Sequence, residues 1–385
     1  MISKTVFFLR RFFLFLIIVL SCYSSYSIAA EYNLIPSLGV SGEYNDNAAF
    51  DRDNEREDFL TTISPSLEFS AATSKGNIST KIAADFLRYV DETDLNTENL
   101  YAGLDAGYQI TERSGISGNA SYIEDTTLES ELFETGLINT RSDRKRYNAG
   151  VGSSYKISMT TDAKINYDYS KTEYDDPSNE DYDYNQIKAS FNYRLDNQLD
   201  LMTIQPYYSK RESDVSKADN YGISLGWTRL FTEIHSLKMF LGSRYTDLRE
   251  EGESDTSWGW VADVNLLKKG ENFSCDAGYS RDVQNDVSGE LIEVDKIYCH
   301  ANRKIIGRLG VGFSGNLYFT RYERESDGDI RYFEVIPSLN YQLTEKHNLQ
   351  LAYSYAEDDD EQAQGGQAIR SRIWIAVNFN FPQKW

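Results

Sequence analysis

From residue 31 onward the chain alternates between apolar and polar side chains. In residues 162–170, Ala163, Ile165, Tyr167 and Tyr169 take one face, while Asp162, Lys164, Asn166, Asp168 and Ser170 take the other. Residues 220–228 repeat the arrangement, setting Tyr221, Ile223, Leu225 and Trp227 against Asn220, Gly222, Ser224, Gly226 and Thr228. The same period runs through 257–266 and through 372–381. Successive Cβ atoms leave a strand on opposite sides, so a period of two predicts strands with one oily and one wet face.

The breaks between these segments come in two sizes, and the sizes alternate. Short ones fall near 74–77, 111–113, 159–160, 196–197, 231–233, 268–270, 306–307 and 344–346. Longer, acidic ones fall at 46–57, 91–99, 124–145, 173–181, 211–219, 248–256, 282–292, 323–329 and 357–368. This count predicts about 18 strands, or 16 if two hairpins are misread. Short turns at one end, long loops at the other and strands of about 9–11 residues describe a transmembrane barrel. The expected fold is therefore all-β: an antiparallel up-and-down transmembrane barrel, with short periplasmic turns, long acidic extracellular loops and both termini periplasmic. A soluble sandwich would also alternate, but its strands run nearer about 5–6 residues and its two ends do not differ systematically. Closure is what makes the pattern viable in lipid, where every backbone amide must find its partner inside the protein.

The first 30 residues differ from the rest. Lys4, Arg10 and Arg11 precede an apolar run from Phe12 to Leu20, and small residues follow to Ala29 and Ala30. That order predicts a secretory signal peptide over 1–30, leaving one barrel domain over 31–385. The competing reading makes Cys22 a lipidation site, which Leu20 fits poorly. Either way the chain leaves the cytoplasm, and a Gram-negative outer membrane is the expected destination.

Charge narrows the functional classes. Sixty acidic against 39 basic residues give a net charge of −21, which disfavours nucleic acid as a partner. Mean hydropathy is −0.54, low for a membrane protein but natural if alternate side chains face a watery lumen. Three cysteines are too few for a disulfide scaffold.

Three short segments carry a family likeness. They are Pro36-Ser37-Leu38-Gly39-Val40-Ser41-Gly42-Glu43-Tyr44-Asn45-Asp46-Asn47, then Thr62-Ile63-Ser64-Pro65-Ser66-Leu67-Glu68-Phe69, and the closing Val377-Asn378-Phe379-Asn380-Phe381-Pro382-Gln383-Lys384-Trp385. Together they resemble the outer-membrane β-barrel porins encoded with exopolysaccharide biosynthesis systems. The resemblance implies a non-enzymatic passage for a secreted polysaccharide, with no catalytic motif and no cofactor. It also implies lipid, lipopolysaccharide, the barrel-assembly machinery and periplasmic or inner-membrane export components as partners. Trp385 stands where such barrels commonly end in Phe. Ile373, Ile375, Val377, Phe379 and Phe381 still form an alternating last strand, expected to be read by the assembly machinery. A general small-solute porin and a structural or adhesive barrel, with loop 124–145 as its binding surface, remain alternatives, because fold does not fix function.

Alternation assigns the lumen. Basic Lys81, Lys164, Lys188, Arg194, Lys238, Arg244 and Arg372, acidic Asp85, Asp105, Asp168, Asp263 and Glu334, and Tyr101, Tyr184 and Tyr332 are the expected pore-lining residues. The tyrosines would offer stacking faces to sugar rings. The acidic mouth argues for a neutral or weakly charged polymer, since like charges repel at an entrance. Cys275 and Cys299 flank the connection at 282–292, and pairing Arg281 with Glu293 would oppose them directly, within reach of a disulfide. Gly310-Val311-Gly312-Phe313-Ser314-Gly315 spells a dinucleotide fingerprint but lies inside an alternating strand, without the helix that motif needs. His235, His300 and His347 have no metal-ligand spacing, so no metal site is expected, and His300 is the one strand-borne candidate for a Ser-His pair. The acidic loops lack ordered calcium-ligand spacing.

Overall fold

The computed structural model describes residues 30–138, 141–250, 253–322, 330–360 and 367–384. The expected signal peptide and Cys22 lie outside the described residues, apart from Ala30. Eighteen long strands follow one another: β1 (Glu31–Asn45), β2 (Asp58–Ala72), β3 (Gly76–Tyr89), β4 (Thr97–Gln109), β5 (Ser114–Thr126), β6 (Asp143–Lys156), β7 (Thr161–Tyr174), β8 (Tyr182–Arg194) and β9 (Asp200–Ser213) form the first half. The second half is β10 (Ser216–Thr232), β11 (His235–Glu250), β12 (Glu253–Lys269), β13 (Phe273–Asn285), β14 (Leu291–Ile306), β15 (Leu309–Tyr322), β16 (Ile330–Gln342), β17 (His347–Asp360) and β18 (Ala368–Asn380). Each pairs antiparallel with its sequence neighbours, and β18 pairs with β1 from Ser37↔Asn380 to Asn45↔Arg372, closing the ring. A two-residue β19 (Gln383–Lys384) adds to the edge of β1.

The oily face of each strand points outward. Leu38, Val40, Ile223, Leu225, Ile373 and Ile375 are exposed on the outer wall. Tyr208, Tyr221, Tyr245 and Trp258 form a row of rings across β9 to β12, with centroids 5.0, 6.4 and 5.1 Å apart. Such a row is the expected girdle at a membrane interface. On β18, Ile373, Ile375, Val377 and Phe379 oppose Tyr44, Gly42, Val40 and Leu38, so the terminal strand presents its oily face to lipid as well. Phe381 lies just past β18, and its backbone N–H donates to the Pro36 carbonyl at 2.9 Å.

Strands of 13–17 residues are longer than a crossing requires, so their ends stand clear of the membrane. This corrects three of the expected loops. Between β9 and β10 only Asp214 and Val215 are left as a turn, and the ladder runs on to Lys217↔Glu212. The stretches 248–256 and 282–292 are likewise mostly strand. Beyond the lipid both faces are polar, so alternation fades although the hydrogen-bonded ladder continues.

The principal apolar cluster lies inside the ring. After β5 the chain turns inward and forms a helix, α1 (Thr127–Thr135). Leu128 and Leu132 fall one turn apart on one face, and Leu137 follows just beyond. These three bury against Ile292 and Val294 of β14, Tyr318 of β15, Ile330 and Tyr332 of β16, Ala356 of β17 and Ala368 of β18. Phe50, from the connection after β1, joins the cluster and meets Tyr332 edge-on at 6.3 Å. Leaving the wall at β5 and docking on β14–β18, α1 reaches across the bore. Within the segment 124–145, expected as an outer loop and as the adhesive surface, residues 127–138 therefore form a constriction.

The constricted bore as candidate functional site

Ion pairs hold α1 at both ends. Arg144, almost fully buried, bonds Asp125 through two nitrogens at 2.9 Å each and Glu131 at 2.8 Å. Arg146 grips Glu134 with two bonds of 2.7 Å. On the far wall Arg370 donates to Glu129 at 2.7 Å, and Arg372 bridges Glu129 at 3.5 Å and Glu334 at 3.0 Å. The Glu129 side chain stands half exposed within the ring; the wall around it strips some of its hydration, but Arg370 and Arg372 outweigh that loss and hold the carboxyl at about 2. Glu134 is also lowered, burial being outweighed by Arg146, whereas burial raises Glu131 despite its contact with Arg144. Backbone carbonyls are fixed too: the Tyr318 hydroxyl donates to Phe133 O at 2.6 Å, and the Thr320 hydroxyl donates to Thr135 O.

The helix stops at Gly136, which adopts a left-handed φ of 76° and donates its N–H to Leu132 O at 3.1 Å. A Cβ there would lie 2.6 Å from Tyr318 Cβ. Both the turn and the close approach require glycine.

Beside α1 a cavity of about 650 Å³ opens against β6 to β13, with Glu131 and Glu134 on the helix side. At this level the tip joining β13 to β14 leans inward, and Glu180 N–H donates to Val287 O at 2.8 Å. In keeping with that lean, β12 pairs with β13 only from Ala262 to Lys269.

The expected pore-lining residues divide into two groups. Lys81 and Asp85 on β3, Tyr101 and Asp105 on β4, Lys164 and Asp168 on β7, and Tyr184, Lys188 and Arg194 on β8 share the inward face of the ladder. Lys238 and Arg244 on β11 and Asp263 on β12 do the same. Lys81 pairs with Glu68 at 3.1 Å and Lys238 with Asp263 at 3.6 Å. Tyr332, Glu334 and Arg372 also point inward but do not line open passage. Tyr332 is buried beneath α1, Glu334 accepts from Ser354 at 2.8 Å and from Arg372, and Arg372 holds the helix. Lumen position and open lumen separate here, because α1 covers the wall from β14 to β18.

The disulfide expectation is corrected. Cys275 faces Ala301 and Cys299 faces Ala277, because Arg281 pairs with Asp295 rather than Glu293. The two-residue shift keeps both cysteines on the outward face but makes them diagonal neighbours, and both thiols are free. His300 Nδ1 shares a 2.6 Å hydrogen bond with Ser314 Oγ on the lumen wall. The Asp276 carboxylate opposite His300 accepts from Asn265 instead, and among the described residues no carboxylate bonds the imidazole, so the orienting member of a triad is missing.

Sequence reading missed a recurring wall feature. In three cross-strand pairs an inward aromatic ring lies over a glycine of the next strand: Tyr207 over Gly222, Phe240 over Gly226 and Tyr298 over Gly278. A Cβ added to these glycines would come within 2.1, 2.5 and 2.5 Å of the respective side chains. The glycines let the rings lie against the wall and keep the bore wide. Gly222 and Gly226 are visible as small residues in the alternation, but their pairing partners depend on register. The anchors Arg144, Arg146, Glu129, Glu131 and Glu134 were also missed, although Leu128 and Leu132 at helical spacing before Arg144-Lys145-Arg146 carry a faint signal.

Comparison with known proteins agrees with this architecture. The family described as "Putative beta-barrel porin 2" matches residues 29–158. Among solved structures, OccK2 (OpdF) of Pseudomonas aeruginosa aligns with a TM-score of 0.50 at 9% identity, covering 92% of this chain and 98% of that one. The outer membrane channel DcaP of Acinetobacter baumannii aligns with a TM-score of 0.44 at 14% identity, covering 91% and 97%. The outer membrane protein opdK of P. aeruginosa aligns at 0.47 and 10%, covering 92% and 99%. No curated protein matches the chain. At such identities the likeness speaks for fold alone. The closed ring has the fold of an outer-membrane β-barrel, and its first third, residues 29–158, is similar to that porin family.

Proposed function

We propose that the barrel is a non-enzymatic conduit through which a saccharide chain leaves the cell, entering at the short-turn end in the periplasm and leaving past α1. On this reading both termini are periplasmic and residues 1–30 are removed on export. The observation that carries the proposal is the set of rings laid over glycines, Tyr207, Phe240 and Tyr298, together with Tyr184 beside the constriction. A ring held against a wall offers an apolar face to the C–H side of a sugar, while neighbouring polar groups meet its hydroxyls. Gln186, which donates to the Tyr184 hydroxyl at 2.8 Å, and Asn265, which donates to the Tyr298 hydroxyl at 2.8 Å, are such groups.

Two measurements test the proposal. In planar bilayers a neutral hexasaccharide is expected to interrupt the current of the native barrel, and Tyr207→Ala with Tyr298→Ala is expected to shorten each interruption several-fold. In cells, loss of the protein is expected to abolish secretion of the polymer. Ion conductance without any saccharide block, together with normal secretion in the deletion strain, would leave a general diffusion porin instead.

A further inference from the structure

Arg211 on β9 is an anomaly in the cavity beside α1. Its side chain is only 4% exposed, its guanidinium stacks on Tyr182 at 3.7 Å, and it lines the open space. Among the described residues its Nε and Nη2 have no hydrogen-bond partner, and no carboxylate lies within ion-pair distance. The two acids within electrostatic reach are already engaged. Glu131 is held by Arg144, and Asp286 accepts from the Ser288 and Glu290 backbones and from the Ser288 and Tyr322 hydroxyls. Of the other cations facing the cavity, Arg146 pairs with Glu134, Lys238 with Asp263, Arg244 with Glu293 and Arg281 with Glu293 and Asp295, while Lys188, with Asp282 within electrostatic reach, is only half-buried.

A buried cation without a counter-ion costs folding free energy, and an apolar or neutral replacement is ordinarily tolerated or stabilising. Its fork of donors matches a carboxylate in shape as well as charge, and stacking on an aromatic face fixes its plane. Directly opposite Arg211 in the ladder is Tyr184, and Ser209 and Asn220 line the same cavity, so hydroxyl-bearing chemistry is met next to the charge.

We propose that Arg211 is the core of a subsite for the carboxylate of an acidic sugar, placed where α1 narrows the bore. This rests on the saccharide-passage reading and gives it a substrate class: a polymer bearing uronic-acid or similar carboxylated residues. The acidic rim alone would favour an uncharged chain. A single cationic station inside reverses that preference locally without lining the whole path with fixed charge, so an anionic chain is recognised and still released.

The test compares current block in planar bilayers by a hexagalacturonate and by a neutral hexasaccharide of equal length. The native barrel is expected to bind the acidic oligomer at least tenfold more tightly. Arg211→Gln is expected to remove that margin while leaving block by the neutral oligomer unchanged, and Arg211→Lys, which keeps the charge but loses the fork, is expected to fall between. Lys81→Gln, removing a lumen cation already paired with Glu68, is expected to change neither. Arg211→Gln is also expected to raise the Tm of the folded barrel, which shows that the variant assembles. Equal block by both oligomers in the native barrel overturns the subsite and leaves the passage standing. Loss of the margin in Lys81→Gln to the same degree as in Arg211→Gln also overturns it, since a diffuse field would then be responsible. Block by neither oligomer removes the passage reading and the subsite with it.

Discussion

Single residues decide how firmly the constriction sits. At Gly136 a side chain would meet two independent obstacles, a left-handed backbone and a Cβ at 2.6 Å from Tyr318. The first costs about 1–2 kcal/mol and the second about 1–3 kcal/mol by overpacking. Gly136→Ala is therefore expected to loosen the last turn of α1 while the barrel still closes, read as a larger and noisier single-channel conductance with normal gel mobility. Glu129 gives the constriction a pH dependence whose sign is fixed. Its folded pKa of about 2 lies below the ordinary carboxylate value of 4.5, so its contribution is complete above that value. It is lost as pH falls from there through about 2. The Glu129 contribution predicts that conductance rises below pH 4, and Arg370→Gln with Arg372→Gln is expected to move that onset upward. A flat response down to pH 2.5 would show that the apolar face of α1 holds it without these pairs. None of this was legible in the sequence, because Glu129 meets Arg370 and Arg372 across 241 and 243 positions.

Elements were legible in proportion to how far lipid dictates them. Where a strand crosses the membrane, one face must be oily and the other wet, and the alternation in 220–228 or 372–381 shows both. Beyond the membrane that demand ends, so the tight β9–β10 hairpin read as a loop. Register is a finer matter still: the pairing assumed for β13 and β14 was wrong by two residues, a slip that preserves the face of every side chain and so leaves no trace in the pattern. The helix α1 was hidden for a different reason. Nine residues form too short a helix to stand alone in water, so its apolar face has meaning only against the wall it docks on. That makes it vulnerable as a unit. Leu132→Ala is expected to cost about 2–5 kcal/mol of docking free energy, as large-to-small core changes do. Because the helix has no stability of its own, the whole element is expected to leave the wall, raising conductance more than Gly136→Ala does. The check is protease cleavage at Phe133, expected in Leu132→Ala and absent in the native barrel.

At the scale of the whole molecule, ring closure and bore contents are separate achievements. Closure depends on β18 meeting β1, residue by residue, from Arg372↔Asn45 to Asn380↔Ser37. The outward faces of those two strands lie in lipid, where a backbone amide without a partner costs several kcal/mol. Constriction depends instead on α1 and on the apolar patch it covers from β14 to β18. Removing α1 therefore leaves a wider barrel, whereas removing the last strand leaves none. Deletion of 373–385 is expected to abolish the compact, heat-modifiable form on a gel and to leave β1 and β17 as exposed edges. Replacing 127–137 by a glycine-serine linker is expected to keep that form and raise conductance. If the truncated chain still assembled, β1 would have to close on β17, with one strand fewer and the two strands running parallel, since each is antiparallel to β18. A parallel seam needs slanted, evenly spaced hydrogen bonds in place of the antiparallel ladder that β1 presents to β18.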